Sequence, residues 1–566
     1  MKNPKKLIEV ATGREVADLV FKNANVVNVF TGEILPADVA VSDGWIAGVG
    51  QYSGKQEIDC TDKYLCPGFI DAHLHIESTM VLPAELVRMV LPSGTTTMIV
   101  DPHEIVNVCG AQGMQFMLNA SENLPCNLYF MLPSSVPATP FETAGADFTA
   151  ADMAPFVGHP RVLGLGEVMC FTDVVGGGDV ILEKLAQLSP RPVDGHAPGL
   201  TGKSLQAYAA AGVKTEHEGT TFAEALEKAR AGLAILVREG SAAHNLAAIV
   251  GGLVDNDLPT NRFMFCTDDK HLDDIARDGH IRWNVKLAIE LGMKPVNAIR
   301  MASWNAAVEY GLADVGAIAP GYKADIVLLS SLKQVEIDAV YKDGIEARQA
   351  LQNIPAFDAE KAQPRVMQSV KAPKVTAEML ALPVNGKTDV IDMVPYQLVT
   401  NHLREEVPTQ NGLFVPNETY TKLCVVERHG KNGNLVVAPL KGYGIVGGAL
   451  ATSVAHDSHN IIAAGDNDAD IAKAINQLSK IGGGYVLVKN GAIAGQVPLP
   501  VAGLMSTAPA TEVERATHKI IKKASAMGIP YYVDPFISLS FLALPVIPSI
   551  RLTDKGLFNV DTFELI

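Results

Sequence analysis

The 566-residue chain has no Cys-x-x-Cys pair; its seven cysteines stand alone at positions 60, 66, 109, 126, 170, 266 and 424. Thiols scattered in this way suit a reducing compartment better than a disulfide framework. Basic runs are also missing beyond Lys2, Lys5 and Lys6, and 46 basic against 62 acidic residues leave a formal charge of −16. A phosphate-backbone ligand needs a basic footprint, so nucleic acid is excluded as a partner, although a free base is not. Long apolar runs are lacking too. The most lipid-like stretch, 536–544, is nine residues between Pro535 and Pro545, too short to span a bilayer as a helix. Glu9, Arg14, Glu15 and Asp18 interrupt any apolar targeting segment. No phosphate-binding glycine loop is present either: Gly447-Gly448 and Gly482-Gly483-Gly484 have no Lys-Ser/Thr after them and read as tight turns. A soluble, cytoplasmic protein is expected.

What is present is core-forming sequence, 48% hydrophobic over a length that implies two to four domains. Short strand-like segments at 19–21, 26–29, 39–41 and 45–47 have counterparts at 324–329 and 335–341. They predict a small composite β domain built from 1–66 and 313–350. Between them, short apolar runs at 69–75, 95–101, 127–132, 161–168, 192–196, 213–217, 234–238 and 263–267 alternate with helical patterns such as 223–231 and 282–290. Eight strands separated by helices predict a (β/α)8 barrel over 67–312. The proline-marked polar segment 351–384 reads as a linker, and 385–566 as a C-terminal α/β or α+β domain with strands near 423–427 and 485–489 and a helix near 468–479.

Chemistry gathers at the strand ends. The first strand runs Phe69-Ile70-Asp71-Ala72-His73-Leu74-His75, and in an extended chain residues i and i+2 share a face, so two imidazoles reach one point. The fourth predicted strand ends at Glu167, the fifth at His196, the sixth at His217 and the eighth at Asp268. Active sites of such barrels lie at the C-terminal ends of the strands. Four imidazoles and two carboxylates there can hold two divalent ions bridged by a carboxylate. Each residue alone has a plainer reading: a hydrogen-bonded core histidine, a salt-bridged Glu167, or Asp268 as a helix N-cap. Six together at one barrel mouth favour the metal centre, with manganese or iron ahead of zinc.

The chain resembles the amidohydrolase superfamily in Pro67-Gly68-Phe69-Ile70-Asp71-Ala72-His73-Leu74-His75 and in Pro320-Gly321-Tyr322-Lys323-Ala324-Asp325-Ile326-Val327. Within it, the sequence is similar to the branch acting on adenine. The motifs are His75-Ile76-Glu77-Ser78, Asp101-Pro102-His103-Glu104-Ile105, Gly166-Glu167-Val168-Met169, Asp194-Gly195-His196-Ala197-Pro198, Arg238-Glu239-Gly240-Ser241 and Cys266-Thr267-Asp268-Asp269. The resemblance implies a hydrolase of cyclic-amidine C–N bonds that converts adenine to hypoxanthine and ammonia in purine salvage. It also implies that Glu167 stands where many binuclear members carry a carboxylated lysine. Metal-activated hydroxide is then expected to attack the amino-bearing ring carbon, with Asp268 shuttling the proton.

Further candidates follow. Glu218 is a source for the ring-nitrogen proton, or a solvated loop carboxylate. Glu77, His103 and Glu104 sit where they could bind substrate or an extra metal, or orient the histidines. Arg238 and Ser241 could meet a purine edge or stabilise their loop. His456-Asp457-Ser458-His459-Asn460 is a turn by itself, and the resemblance makes it a contributor to the site. A cyclic-amide hydrolase or N-acetyl deacetylase of the same superfamily is the alternative. The zinc deaminase fold marked by H-x-E and P-C-x-x-C is excluded by the missing C-x-x-C. Adenine as the small-molecule partner, no membrane, and a homo-oligomer complete the expectations.

Overall fold

A parallel barrel forms the middle of the molecule. The computed structural model describes residues 2–241 and 243–566. We number the barrel strands β1 (Phe69–Leu74), β2 (Thr95–Val100), β3 (Asn127–Leu132), β4 (Val162–Val168), β5 (Val193–Gly195), β6 (Thr215–Glu216), β7 (Ala234–Arg238) and β8 (Phe263–Cys266). Strands β1 to β5 pair in order as one parallel run and β6 to β8 as another. The barrel closes through Lys214 N–H donating to the Val193 carbonyl at 2.9 Å and Asp268 N–H donating to the His73 carbonyl at 3.0 Å.

The longer of these strands are largely apolar on both faces because both are buried. Ile70, Ala72, Ile99, Met131, Ala234, Leu236, Met264 and Cys266 share one cluster. Their alternating neighbours Phe69, Met98, Phe130, Ile235 and Phe265 pack in another, against the surrounding helices. Among those helices, Phe222–Arg230 and Ile281–Glu290 fall within a residue of the sequence expectation. Strands β5 and β6 are only three and two residues long. Their histidines therefore lie just past the last ladder pair rather than within a strand.

Strands from both flanks of the barrel share one sheet. The segment Tyr64–Pro67, which leads into β1, pairs with Ala17–Asn28 on one side and with Ile326–Ser331 on the other. Residues beyond 384 build a separate sheet of eight mainly antiparallel strands, against which helix Asp468–Lys480 packs. The segment between, 351–384, holds the short turns Ala359–Ala362, Pro364–Met367 and Ala377–Leu380, and buries Val375 and Leu380 in the core of that last sheet.

The last domain also packs on the barrel. Ser506 N–H donates to the Met80 carbonyl at 2.8 Å, and Glu85 Oε2 accepts from Ala510 N–H at 3.0 Å. The proline-bracketed run at 536–544 is buried at Phe536, Leu539 and Leu542. Among the described residues, no helix is long and apolar enough to cross a membrane.

Candidate active site

All six donors expected from the strand ends meet at the C-terminal mouth of the barrel, and Glu167 is their centre. Its Oε1 lies 3.8 Å from His73 Nε2 and 3.3 Å from His75 Nε2. Its Oε2 lies 2.8 Å from His196 Nδ1 and 3.2 Å from His217 Nε2. Asp268 Oδ1 closes the first group, 3.7 Å from His73 Nε2 and 3.0 Å from His75 Nε2. One carboxylate thus presents a different oxygen to each pair of imidazoles.

Local structure holds this arrangement. Asp71 Oδ1 accepts from Thr267 N–H at 3.1 Å and from His73 N–H at 3.3 Å, pinning the end of β1 to the end of β8. Asp101 Oδ2 accepts from Glu167 N–H at 2.9 Å. Residue 166 must be glycine, because a Cβ there would lie 2.1 Å from that same oxygen. Asp194 takes hydrogen bonds from Thr215 Oγ1 and Tyr310 OH, both at 2.8 Å. Burial pushes Asp71 and Asp194 up to about 7. Asp268 adopts a left-handed φ of +56°, a strained conformation for a non-glycine residue that its hydrogen bonds to β1 maintain.

Three of these anchors, Asp71, Asp101 and Asp194, carried no role of their own in the sequence reading. Their signal was nevertheless there as a repeated triplet, since each stands two residues before a histidine: Asp71-Ala72-His73, Asp101-Pro102-His103 and Asp194-Gly195-His196.

The remaining candidates divide. Glu218 joins the centre, with Oε1 3.4 Å from His217 Nε2 and 3.6 Å from His196 Nδ1. Arg238 grips it with two bonds, at 2.5 and 3.1 Å, and also donates to Asp268 Oδ2. Burial opposes charge on Glu218, but Arg238 and then His196 hold its carboxyl well below the usual range. Burial likewise opposes charge on Asp268, and Arg238 and His75 hold that carboxyl well below as well. His103 lies 3.2 Å from Glu167 Oε1 through Nδ1. Glu104 turns away from the centre, toward His456 and His459 of the last domain. Glu77 Oε1 accepts from Ile105 N–H at 3.1 Å. Ser241 donates to Asp274 and accepts from His271 N–H at 2.8 Å, so its hydroxyl is occupied within its own loop.

The centre suits divalent cations. His73 is fully buried, and neither of its ring nitrogens has a hydrogen-bond partner among the described residues. Burial and then His217 keep it neutral, well below the usual histidine range. His75 Nδ1 lies 2.9 Å from the Asp101 carbonyl, which fixes the proton there and leaves the Nε2 lone pair facing Glu167 and Asp268. Groups such as His73–His75–Glu167 and Glu167–His196–His217 bring their donor atoms within 4.8 Å of one another.

A barrel with this donor set at its mouth defines a metal-dependent hydrolase, and comparison with known proteins agrees. The amidohydrolase family model matches residues 64–346, and the adenine deaminase C-terminal domain model matches residues 397–564. An adenine deaminase of Desulfitobacterium hafniense is 49% identical over 99% of this chain and 98% of its own length. Adenine deaminase 2 of Carboxydothermus hydrogenoformans is 45% identical over 100% and 99%. An adenine deaminase of Geobacillus kaustophilus is 44% identical over 99% and 98%. The chain belongs to the adenine deaminase family of amidohydrolases.

Proposed function

We propose that this protein hydrolyses adenine to hypoxanthine and ammonia, as a purine-salvage enzyme of the cytoplasm. The reading is supported by likeness over the whole chain, last domain included, and by seven free cysteines. The observation that carries it is Glu167, which offers one oxygen to His73 and His75 and the other to His196 and His217.

We assign His73, His75, Glu167 and Asp268 to one divalent ion, and Glu167, His196 and His217 to a second. Imidazole and carboxylate donors without thiolate suit manganese, iron or zinc, and geometry and availability select among them. Bound there, the ions would act as Lewis acids and lower the pKa of water. The chain's own residues do the rest. Asp268, kept ionised by Arg238, takes the proton of the attacking water and later gives it to the departing amine. Glu218 addresses a ring nitrogen from beside His196 and His217. Because Arg238 also keeps Glu218 ionised, it accepts a proton before it can deliver one. The surrounding side chains are buried, which strengthens each of these electrostatic contacts.

The test is a chelated protein re-supplied with manganese, iron or zinc and assayed for ammonia release. The expected result is metal-dependent ammonia from adenine, with no ring opening of hydantoin and no acetate from N-acetyl sugars. Turnover of hydantoin or an N-acetyl sugar, or adenine turnover without metal, would overturn the reading.

A further inference from the structure

A second knot of imidazoles and carboxylates lies behind the first, where the barrel meets the last domain. Helix His103–Cys109 follows β2 and starts with His103 and Glu104. A loop of the last domain brings His456 and Asp457 against them. All four are buried, at 5%, 2%, 8% and 2% exposure. Glu104 Oε1 lies 2.8 Å from His456 Nδ1 and 3.5 Å from His103 Nε2. Asp457 Oδ1 lies 3.7 Å from His103 Nε2 and 4.0 Å from His456 Nδ1. Donors about 2.0–2.2 Å from a tetrahedral ion stand roughly 3.3–3.6 Å from one another. The four measured edges straddle that range.

We propose that His103 Nε2, Glu104 Oε1, His456 Nδ1 and Asp457 Oδ1 form a third metal site, which fastens the last domain to the barrel. The two carboxylates would neutralise a divalent ion, and two imidazoles with two carboxylates in this shape fit zinc.

The tautomers agree with this assignment. His459 Nδ1 accepts from Ala455 N–H at 3.2 Å, so its ring hydrogen sits on Nε2, the nitrogen beside Glu104 Oε2. Glu104 Oε1 is the oxygen turned toward His103 and His456. On the other side, His103 Nδ1 lies 3.2 Å from Glu167 Oε1, while Nε2 is the nitrogen turned toward the knot. Imidazoles that bind a metal through one nitrogen and a carboxylate through the other are a recurrent arrangement. An independent sign is Asp457 Oδ2, which is buried with no hydrogen-bond partner among the described residues. A buried carboxylate left so poorly partnered calls for a cation. Four protein donors leave no open position, the pattern of a structural rather than a catalytic ion.

The inference does not depend on the substrate, and its test has two arms. Crystals of zinc-loaded wild-type protein, measured at the zinc edge, are expected to show an anomalous peak among these four atoms. Absence of that peak in crystals with metal at the barrel mouth would overturn the site. In the second arm, His456→Gln and Asp457→Asn are each expected to bind one ion fewer per chain than wild type and to unfold at lower temperature. An unchanged ion count would overturn the site as well. Adenine turnover is read separately. A third ion in a protein inactive on adenine defeats the proposed function alone, and an active protein without the third ion defeats this inference alone.

Discussion

The two buried clusters use the same residue types but are built differently. The barrel-mouth cluster takes every donor from the strand ends of one fold unit. The cluster behind it takes half its groups from a helix start at 103–104 and half from a loop more than 350 residues further on. Donors at or just past strand ends are positioned within one fold unit by the ladder and its anchoring aspartates, so a substitution there removes chemistry and leaves the fold. Donors that cross a domain boundary exist only once the two units have docked, so a substitution there loosens the docking. The contrast predicts that activity and stability separate cleanly between the two clusters.

The largest effect should come from Asp268→Asn. A positioned acid–base group contributes about 10²–10⁴-fold, so kcat on adenine should fall by that factor while the unfolding temperature stays near wild type. A large loss of stability with normal kcat would erase the distinction.

On the other side, Arg428 supports the last-domain loop. It is fully buried and donates to the His459 carbonyl, to the Ala502 carbonyl at 2.9 Å and to Ser369 Oγ at 3.3 Å. Burial pulls its guanidinium down to about 10. Arg428→Ala strands these acceptors and should cost about 3 kcal/mol by urea unfolding, the upper range for hydrogen bonds to a charged group. A change within measurement error would mean that the loop is held by something else.

Asp101→Ala sharpens the comparison from within the barrel. The side chain touches the backbone of Glu167 and stands behind the proposed ligands, so metal affinity should weaken about 10–100-fold, read by competition with a chromophoric chelator. Unchanged affinity would show that Glu167 is positioned without it.

The smallest expected effect lies outside both clusters. Burial raises the Asp38 carboxyl, but Lys22 at 2.6 Å and the amides of Asn23 and Tyr52 bring it below its usual value. A depressed carboxylate stabilises above its unfolded pKa of about 3.9, and that gain is lost as pH falls through the folded value. Asp38→Asn should therefore cost under about 1 kcal/mol at pH 7 and nothing once pH is below both values. An equal cost at both pH values would point to packing instead of charge.

The barrel was legible because its strands are buried on both faces. Strands β3 and β7 match their expected limits residue for residue, while β5 and β6 shrank because their ladders pair over only two or three residues. The donors of the first, fourth and eighth strands could be read because they close apolar runs, whereas His196 and His217 follow only a single valine each, Val193 and Val213. The aspartates that hold them are harder to read, since an acid within such a run looks like an interruption unless its Asp-x-His spacing is weighed. The second cluster was only half visible: His456 to Asn460 looks like a turn, and nothing local says that His103 and Glu104 lie opposite.

The most direct measurement concerns Glu167. Chelated protein re-supplied with manganese should give the electron paramagnetic resonance signal of a spin-coupled pair, and Glu167→Gln should collapse it to that of isolated ions. An isolated-ion signal in the wild type, unchanged by the substitution, would contradict the claim that one carboxylate joins two metals at the mouth of this barrel.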